Sequence, residues 1–189
     1  MSVDPVPDWM RPDGGFFADD LDHLPGLPPH TELIDGGLAF MNPQRFFHLM
    51  TVRRLEAGLL ATVPPHLEVL REMSVVLGNR QRPEPDISII ETAAIGDGDQ
   101  TWFPVSAVRL VVEVVSPESQ TRDRERKPQL YAEAGIPNFW VVEENAGEPV
   151  VYVFALDPAR SAYELTGIHH GRLKLTVPYV LDIDLSGDR

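Results

Sequence analysis

The sequence predicts a mixed α/β (α+β) fold in which a central mixed β-sheet is flanked by helices. Three observations support this fold class: short apolar segments of strand length recur along the chain, two segments have helical spacing, and the second helical segment joins two apolar strands. Because a helix connects residues 109–115 to residues 139–142, these two strands are expected to be parallel. A chain of 189 residues fits one domain with a single core.

The composition is that of a globular protein, and it excludes several classes. Apolar residues make up 43% of the chain, yet no apolar run approaches the roughly 20 residues needed to cross a membrane. The N-terminus lacks a basic-then-apolar signal pattern, and without cysteine only oxygen or imidazole ligands remain for a metal. His48, His66 and the pair His169-His170 lack metal-ligand spacing and are expected in loops or at the surface. We therefore expect a cytoplasmic protein without membrane contact.

The net charge of −13 argues against a protein that coats nucleic acid, because phosphate binding depends on Lys and Arg. A local basic cluster nevertheless occurs at Arg122, Arg124, Arg126 and Lys127, and a local field can differ in sign from the total. The chain contains 14 arginines but only two lysines, Lys127 and Lys174. A lysine at 127 therefore indicates a need for a compact ammonium, although a solvated helix face also explains it.

The first part of the chain predicts an arm, a hairpin and a helix. Residues 1–30 are rich in Pro, Asp and Gly and are expected to form a flexible arm, with a single domain over residues 31–189. Residues 32–40 contain two apolar runs around Asp-Gly, which is typical of a hairpin. From residue 43 to about residue 60 the apolar spacing predicts a helix with one face on the sheet.

The rest of the chain predicts strands interrupted by one helix. The strands are expected at residues 67–70, 73–77, 85–90, 109–115, 139–142, 150–156, 162–166 and 172–177. Residues 91–104 are expected to form an exposed loop, since their Asp-Gly-Asp pattern lacks the full spacing of a calcium loop. A helix is expected from about Thr121 to Ala134, and Pro128 requires that it begin near Lys127 or be distorted there.

Two acids lie on or beside apolar strands. Glu113 interrupts the apolar run at 109–115, and Asp86 precedes another strand. A buried carboxylate is costly without a partner, so Glu113 needs a metal, a base or a hydrogen-bond network. As structural alternatives, Glu113 could bond to Arg109, Tyr131 or the main chain, and Asp86 could cap a turn. Two strand-borne acids near a lysine nevertheless suggest a divalent-metal site.

Several motifs carry a family resemblance. They are Pro85-Asp86, the segment VEVVSP at 112–117, Asp123, Lys127, the segment YAEAGIP at 131–137 and the segment FWVV at 139–142. They resemble the Uma-two family of proposed restriction endonucleases, which is placed in the PD-(D/E)XK nuclease superfamily. The resemblance covers about residues 30–185 and implies a restriction-endonuclease-like PD-(D/E)XK core.

The resemblance implies a metal site at two of these motifs. By position, Asp86 and Glu113 would be the catalytic acids and the ligands of Mg²⁺ or Mn²⁺. The superfamily pattern adds a main-chain carbonyl, which here would be that of Val114. Two carboxylates and a carbonyl would leave coordination positions for a phosphate oxygen and a water.

The resemblance also implies a catalytic lysine, and here the chain departs from the pattern. Two residues after Glu113 stands Val115, so the E-x-K half of the motif is broken. Lys127 on the following helix is the candidate replacement. Glu32 and Tyr131 are candidate accessory residues of the same site.

The function implied by the resemblance is that of a metal-dependent endonuclease that hydrolyses DNA phosphodiester bonds. DNA would be its partner, and a homodimer would match the two-fold symmetry of a duplex substrate. The alternative is a catalytically inactive nuclease-fold protein that acts as a binding module, which the broken E-x-K motif and the acidic net charge favour. A metal-dependent hydrolase of another phosphoester would share the same site.

Overall fold

A computed structural model of the protein describes residues 13–41, 43–116, 120 and 122–186. Its helices are α1 (Phe46–Leu60) and α2 (Lys127–Glu133), and a π-helical turn (Arg122–Arg126) leads directly into α2. Its strands are β1 (Thr31–Ile34), β2 (Gly37–Phe40), β3 (Leu67–Arg71), β4 (Ser74–Val76), β5 (Ile87–Glu91), β6 (Trp102–Pro104), β7 (Val108–Val114), β8 (Asn138–Asn145), β9 (Glu148–Asp157), β10 (Ala162–His170), β11 (Arg172–Leu175) and β12 (Leu181–Asp184).

A six-stranded mixed sheet forms the centre of the fold, with the strand order β10-β9-β8-β7-β5-β3. Strands β7 and β8 pair in parallel, and the other neighbours in this sheet are antiparallel. The parallel pair is the one that the connecting helix α2 predicts, so this expectation is confirmed. Strand β7 lies in the middle of the sheet and is buried along most of its length, as its nearly continuous apolar sequence requires.

Two apolar layers cover the two faces of this sheet. On one face, α1 buries Val52, Leu55 and Leu59 in a cluster that includes Trp140 of β8 and the β11–β12 hairpin. On the other face, α2 buries Tyr131 in a second cluster with Phe139. Among the described residues, neither helix combines the length and the apolar character needed to cross a bilayer. The expected mixed sheet flanked by helices is therefore confirmed.

The hairpin β1–β2 is attached to this core rather than included in the central sheet. Leu33 of β1 exchanges two main-chain hydrogen bonds with Arg82, at 3.0 and 2.8 Å. Phe16 and Ala18 are buried in a small cluster with Leu33. Residues 1–12 of the expected arm lie outside the described residues, whereas Phe16 and the 3₁₀-helical turn Ala18–Asp22 of the same arm pack against Leu33. The domain boundary after residue 30 stays a prediction.

Three local expectations need correction or completion. The exposed loop expected at 91–104 is wrong at its end, because residues Trp102–Pro104 pair in parallel with β4 and bury Phe103. Strand β12 carries no clear sequence signal, since only Leu181 and Ile183 alternate with acids in a segment of four residues. Thr121, the expected first residue of the second helix, lies outside the described residues. The helix is distorted before Pro128, as a π-helical turn, and its α-helical part begins at Lys127, so both effects expected of Pro128 are present.

Gly58 of α1 packs tightly against Ile183 of strand β12. A Cβ atom at residue 58 would lie 2.6–2.9 Å from three side-chain atoms of Ile183. Replacing Gly58 by Ala should therefore lower the free energy of unfolding by about 1–2 kcal/mol, because overpacking outweighs the gain in helix propensity. Urea unfolding of the two proteins measures this difference.

The matched control is the same substitution in an Ile183→Ala background. Without the three clashing atoms, Gly58→Ala should raise the free energy of unfolding by about 0.5–1 kcal/mol, the ordinary helix-propensity gain. If Gly58→Ala lowered the free energy of unfolding equally in both backgrounds, a clash with Ile183 could not be the cause.

Candidate active site

The side chain of Lys127 is enclosed by three carboxyl groups in the interior of the protein. Its ammonium lies 2.8 Å from Oε1 of Glu32, 3.0 Å from Oε1 of Glu113 and 3.4 Å from Oδ1 of Asp123. Lys127 is 1% exposed, and all three acids are buried as well. Burial opposes the charge on Lys127, but the carboxylates outweigh it and raise the pKa of the ammonium well above its usual range. Lys127 is therefore a charged group, not a solvated residue on a helix face.

Glu113 on β7 is held by two donors on one of its oxygens. The Lys127 ammonium and the Tyr131 hydroxyl both donate to Oε1, at 3.0 and 2.6 Å. Burial raises the pKa of the Glu113 carboxyl well above its usual range; Lys127 opposes this rise, and Asp123, Asp86 and Glu32 add to it. The negative charge on Glu113 is therefore unfavourable until further positive charge comes close.

The sequence spacing of the helical segment explains how these groups meet. Asp123, Lys127 and Tyr131 are four residues apart, so the π-helical turn and α2 place them on one face toward Glu113. Pro128 occupies the first turn of α2, where a missing N–H costs little. Since β7 and α2 are adjacent layers, the acid of the strand and the lysine of the helix meet in the interior.

Asp86 lies immediately before β5 and is fixed through both of its oxygens. The main-chain N–H of Val114 donates to Oδ2 at 2.6 Å, and Nε2 of His48 lies 3.0 Å from Oδ1. Burial opposes protonation of His48, but Asp86 outweighs it and raises the pKa of the imidazole. His48 on α1 is buried, so the expectation of a loop or surface position is wrong for this histidine.

Glu32 on β1 links the hairpin to the same group of charges. Its Oε1 accepts the main-chain N–H of Glu84 at 2.9 Å in addition to the contact with Lys127. Its Oε2 is buried, accepts no hydrogen bond from the described residues, and lies 3.4 Å from Nε of Arg122. Glu32 is therefore an acid of the charged cluster and not only a brace of the hairpin.

A small cavity lies among these side chains, and a larger cleft adjoins it. The cavity, of about 10 Å³, is lined in part by Asp86, Glu113, Val114 and Lys127. The cleft, of about 340 Å³, shares four lining residues with the cavity, among them Asp86 and His48. The cavity is about large enough for one water-sized group, and the cleft gives the room a larger molecule needs.

The donor chemistry of this cluster suits a hard divalent cation. Three buried carboxyl groups contact the buried ammonium of Lys127, and a fourth, that of Asp86, lies on the wall of the same cavity, so the site is rich in carboxyl oxygens; its acids are Glu32, Asp86, Glu113 and Asp123. Among the described residues, no three His, Asp or Glu side chains form a ready-made metal site. Mg²⁺ commonly uses only one or two carboxylates and keeps several waters, so the expected set of two acids and one carbonyl is compatible with this arrangement.

The structure brings together all the residues that the sequence singled out. Glu32, Glu113, Lys127 and Tyr131 are in direct contact, and Asp86 joins them through the N–H of Val114. Their roles in catalysis or metal binding stay predictions.

Asp123 and His48 also belong to the cluster, although neither was predicted from the sequence as a residue of the site. The signal for Asp123 was its spacing of four residues from Lys127, which places an acid and a base on one helical face. His48 had no comparable signal, because its partner Asp86 is 38 residues away in sequence.

Comparison with known proteins supports the same fold. A crystal structure of a "putative nuclease belonging to DUF820" from Anabaena variabilis matches with a TM-score of 0.68 and 18% identity, over 86% of this chain and 89% of that chain. NucC from P. aeruginosa in its cAAA-bound form matches with a TM-score of only 0.34 and 12% identity, over 64% and 80% of the two chains, which is too low for any inference. None of the curated proteins matches the chain.

The fold and the cluster of buried acids around a lysine define a protein with a restriction-endonuclease-like fold. The chain belongs to the Uma2 family, described as "putative restriction endonuclease", whose family model matches residues 18–187. The resemblance seen in the sequence motifs is thereby confirmed.

The burial of these charged groups makes a prediction about stability. Lys127→Met would remove the enclosed ammonium that contacts three buried carboxyl groups, so the free energy of unfolding at pH 7 should fall by about 3–5 kcal/mol. Glu113→Gln keeps the shape of the side chain and removes one buried carboxyl group, so it should change the free energy of unfolding by less than about 1 kcal/mol. Urea unfolding of both variants tests this asymmetry.

Lys174→Met is the matched control, because Lys174 is largely exposed and pairs with Asp182 at 3.2 Å on the surface. The free energy of unfolding of Lys174→Met should fall by less than about 0.5 kcal/mol. If Lys127→Met were as mild as Lys174→Met, the enclosed ammonium would not be a main support of the site.

Proposed function

We propose that the protein is a metal-dependent endonuclease that hydrolyses DNA phosphodiester bonds, with Mg²⁺ or Mn²⁺ bound by Asp86, Glu113 and the carbonyl of Val114. The observation that carries this proposal is the buried cluster with more carboxyl groups than cations, which lines a small cavity next to an open cleft. Family membership supports nuclease activity as the reaction class.

The hydrogen bonds that hold Asp86 and Glu113 leave carboxylate lone pairs with which these two proposed ligands could bind a metal. Both donors to Glu113 among the described residues contact Oε1, so Oε2 is available to another ligand. Among the described residues, each oxygen of Asp86 has one hydrogen-bond partner, and a carboxylate oxygen has two lone pairs, so each can accept a further contact. A divalent cation bound there would polarise a phosphate oxygen and lower the pKa of a bound water.

Lys127 fits the role of the missing E-x-K lysine through its contact with Glu113. Although it comes from α2 and not from the strand, its ammonium reaches Glu113 at the distance of a hydrogen bond. Its three carboxyl neighbours leave it nearly no exposed surface, so its proposed task is to hold and orient the acids. A misplacement of catalytic groups by about 1 Å can cost about 10²-fold in rate, so the position of these acids matters for the proposed chemistry.

A catalytically inactive nuclease-fold protein that acts as a binding module is the second candidate. The observation that favours it is the size of the cavity, about 10 Å³, which does not admit a phosphate without movement of its walls. The two candidates differ in what they require of Asp86 and Glu113, because only the enzyme needs both acids to bind a cation.

The experiment compares Mn²⁺ binding and DNA cleavage in the parent protein, Asp86→Asn and Glu113→Gln. Calorimetry should show one Mn²⁺ site in the parent and an affinity loss of at least about tenfold in each variant, since each loses a charged ligand. Cleavage of supercoiled plasmid and of circular single-stranded DNA should fall by about 10²–10⁴-fold in both variants. Asp182→Asn, at an exposed position of strand β12, should match the parent in both assays.

The outcomes separate the two candidates. Metal binding and cleavage that disappear together in the two variants would support the enzyme. Mn²⁺ binding without cleavage of either DNA would favour the binding module, and no Mn²⁺ binding in the parent protein would refute the metal site itself.

A further inference from the structure

Arg122 lies in the wall of the cavity beside the proposed metal ligands. It precedes Asp123 on the π-helical turn and lines the same cavity as Asp86, Glu113 and Lys127. Its side chain is 25% exposed, whereas Lys127 is almost fully enclosed. The guanidinium is therefore the positive group at this site that a molecule arriving from outside could touch.

The guanidinium of Arg122 has weak partners. Its Nε lies 3.4 Å from Glu32 and donates no hydrogen bond to the described residues, and Nη2 lies 4.0 Å from the sulfur of Met41. Nε also lies 4.0 Å from Oδ1 of Asp123, so it has two carboxylates nearby but no hydrogen bond among the described residues, and the side chain is 25% exposed. A guanidinium carries five N–H donors in a planar fork, so Arg122 retains donors for a further acceptor. Unsatisfied donors next to a cavity are the condition for binding an anion.

The neighbouring arginines on the same turn, unlike Arg122, have carboxylate partners at short distance. Arg124 binds Glu143 at 2.7 Å, and Arg126 binds Asp35 through two nitrogens at 2.7 and 2.5 Å. Neither lines the cavity that contains Asp86 and Glu113. The basic cluster seen in the sequence therefore divides into two arginines that hold the turn in place and one whose donors are unsatisfied.

We infer that Arg122 is a substrate-contacting residue that binds a non-bridging oxygen of the substrate's phosphate, a role that rests on the proposed function. A guanidinium matches two phosphate oxygens through parallel N–H donors. Lys127 cannot take this role, because its ammonium already faces three carboxyl groups. In a chain with a net charge of −13, such a contact provides local attraction for the phosphate that the protein as a whole lacks.

The test measures binding of Mn²⁺ and of inorganic phosphate to the parent protein, Arg122→Gln, Arg122→Lys and Arg124→Gln. Arg124→Gln is the matched control, since it removes the same charge from the same turn but away from the cavity. Calorimetry gives the Mn²⁺ affinity, and separate calorimetric titrations give the phosphate affinity with and without Mn²⁺. Circular dichroism confirms that each variant is folded.

We expect Arg122→Gln to weaken phosphate binding at least about tenfold while the Mn²⁺ affinity stays within about twofold of the parent. Arg122→Lys should be intermediate, because it keeps the charge but loses the planar fork. Arg124→Gln should bind phosphate like the parent. In the cleavage assay, Arg122→Gln should lower the rate of single turnover by about 10²–10³-fold, as for loss of one charged transition-state contact.

Other outcomes would overturn the assignment. Unchanged phosphate binding in Arg122→Gln, or an equal loss in Arg122→Gln and Arg124→Gln, would show that Arg122 has no specific role. If the parent protein bound no Mn²⁺, the proposed metal site would fail, and the metal-free phosphate titration would then decide on Arg122 alone. Absence of phosphate binding to the parent in both conditions would refute the role of Arg122.

Discussion

The ion cluster around Lys127 is the interaction on which the rest of the site depends. One ammonium, enclosed by Glu32, Glu113 and Asp123, joins the hairpin β1–β2, strand β7 and the π-helical turn in a single contact. Burying these charges is costly, and replacing such a cluster by apolar side chains is often neutral or stabilising. Stability alone is therefore a weak reason for such a cluster, and its structural result is that several carboxyl groups accumulate at one cavity.

The architecture explains why this cluster can form in the interior. Parallel strands require a crossover, and the crossover from β7 to β8 places α2 directly over the strand that carries Glu113. The π-helical turn and the start of α2 carry two kinds of charged side chain. Asp123 and Lys127 face inward, whereas Arg124 and Arg126 bind the acids Glu143 and Asp35 elsewhere in the fold. Asp86 completes the arrangement from the position just before the neighbouring strand β5, and the N–H of Val114 fixes it there.

Much of this could be predicted from the sequence, and the exceptions have physical causes. Glu113 stood out because an acid within an apolar strand needs a partner, and Lys127 stood out as one of two lysines among 14 arginines. In the structure, the Lys127 ammonium donates a hydrogen bond to Glu113. His48 did not stand out, because its contact with Asp86 depends on how α1 packs on the sheet. The pairing of β6 with β4 was missed for the same reason, since two strands of three residues depend on tertiary contacts more than on local propensity.

The most direct test of the central claim is anomalous diffraction from crystals soaked in MnCl₂, with the parent protein and Glu113→Gln compared under the same conditions. The account predicts an anomalous peak in contact with Asp86 and Glu113 in the parent protein and no peak there in the variant. No peak in the parent at millimolar Mn²⁺, or an undiminished peak in Glu113→Gln, would contradict the assignment of these acids as metal ligands.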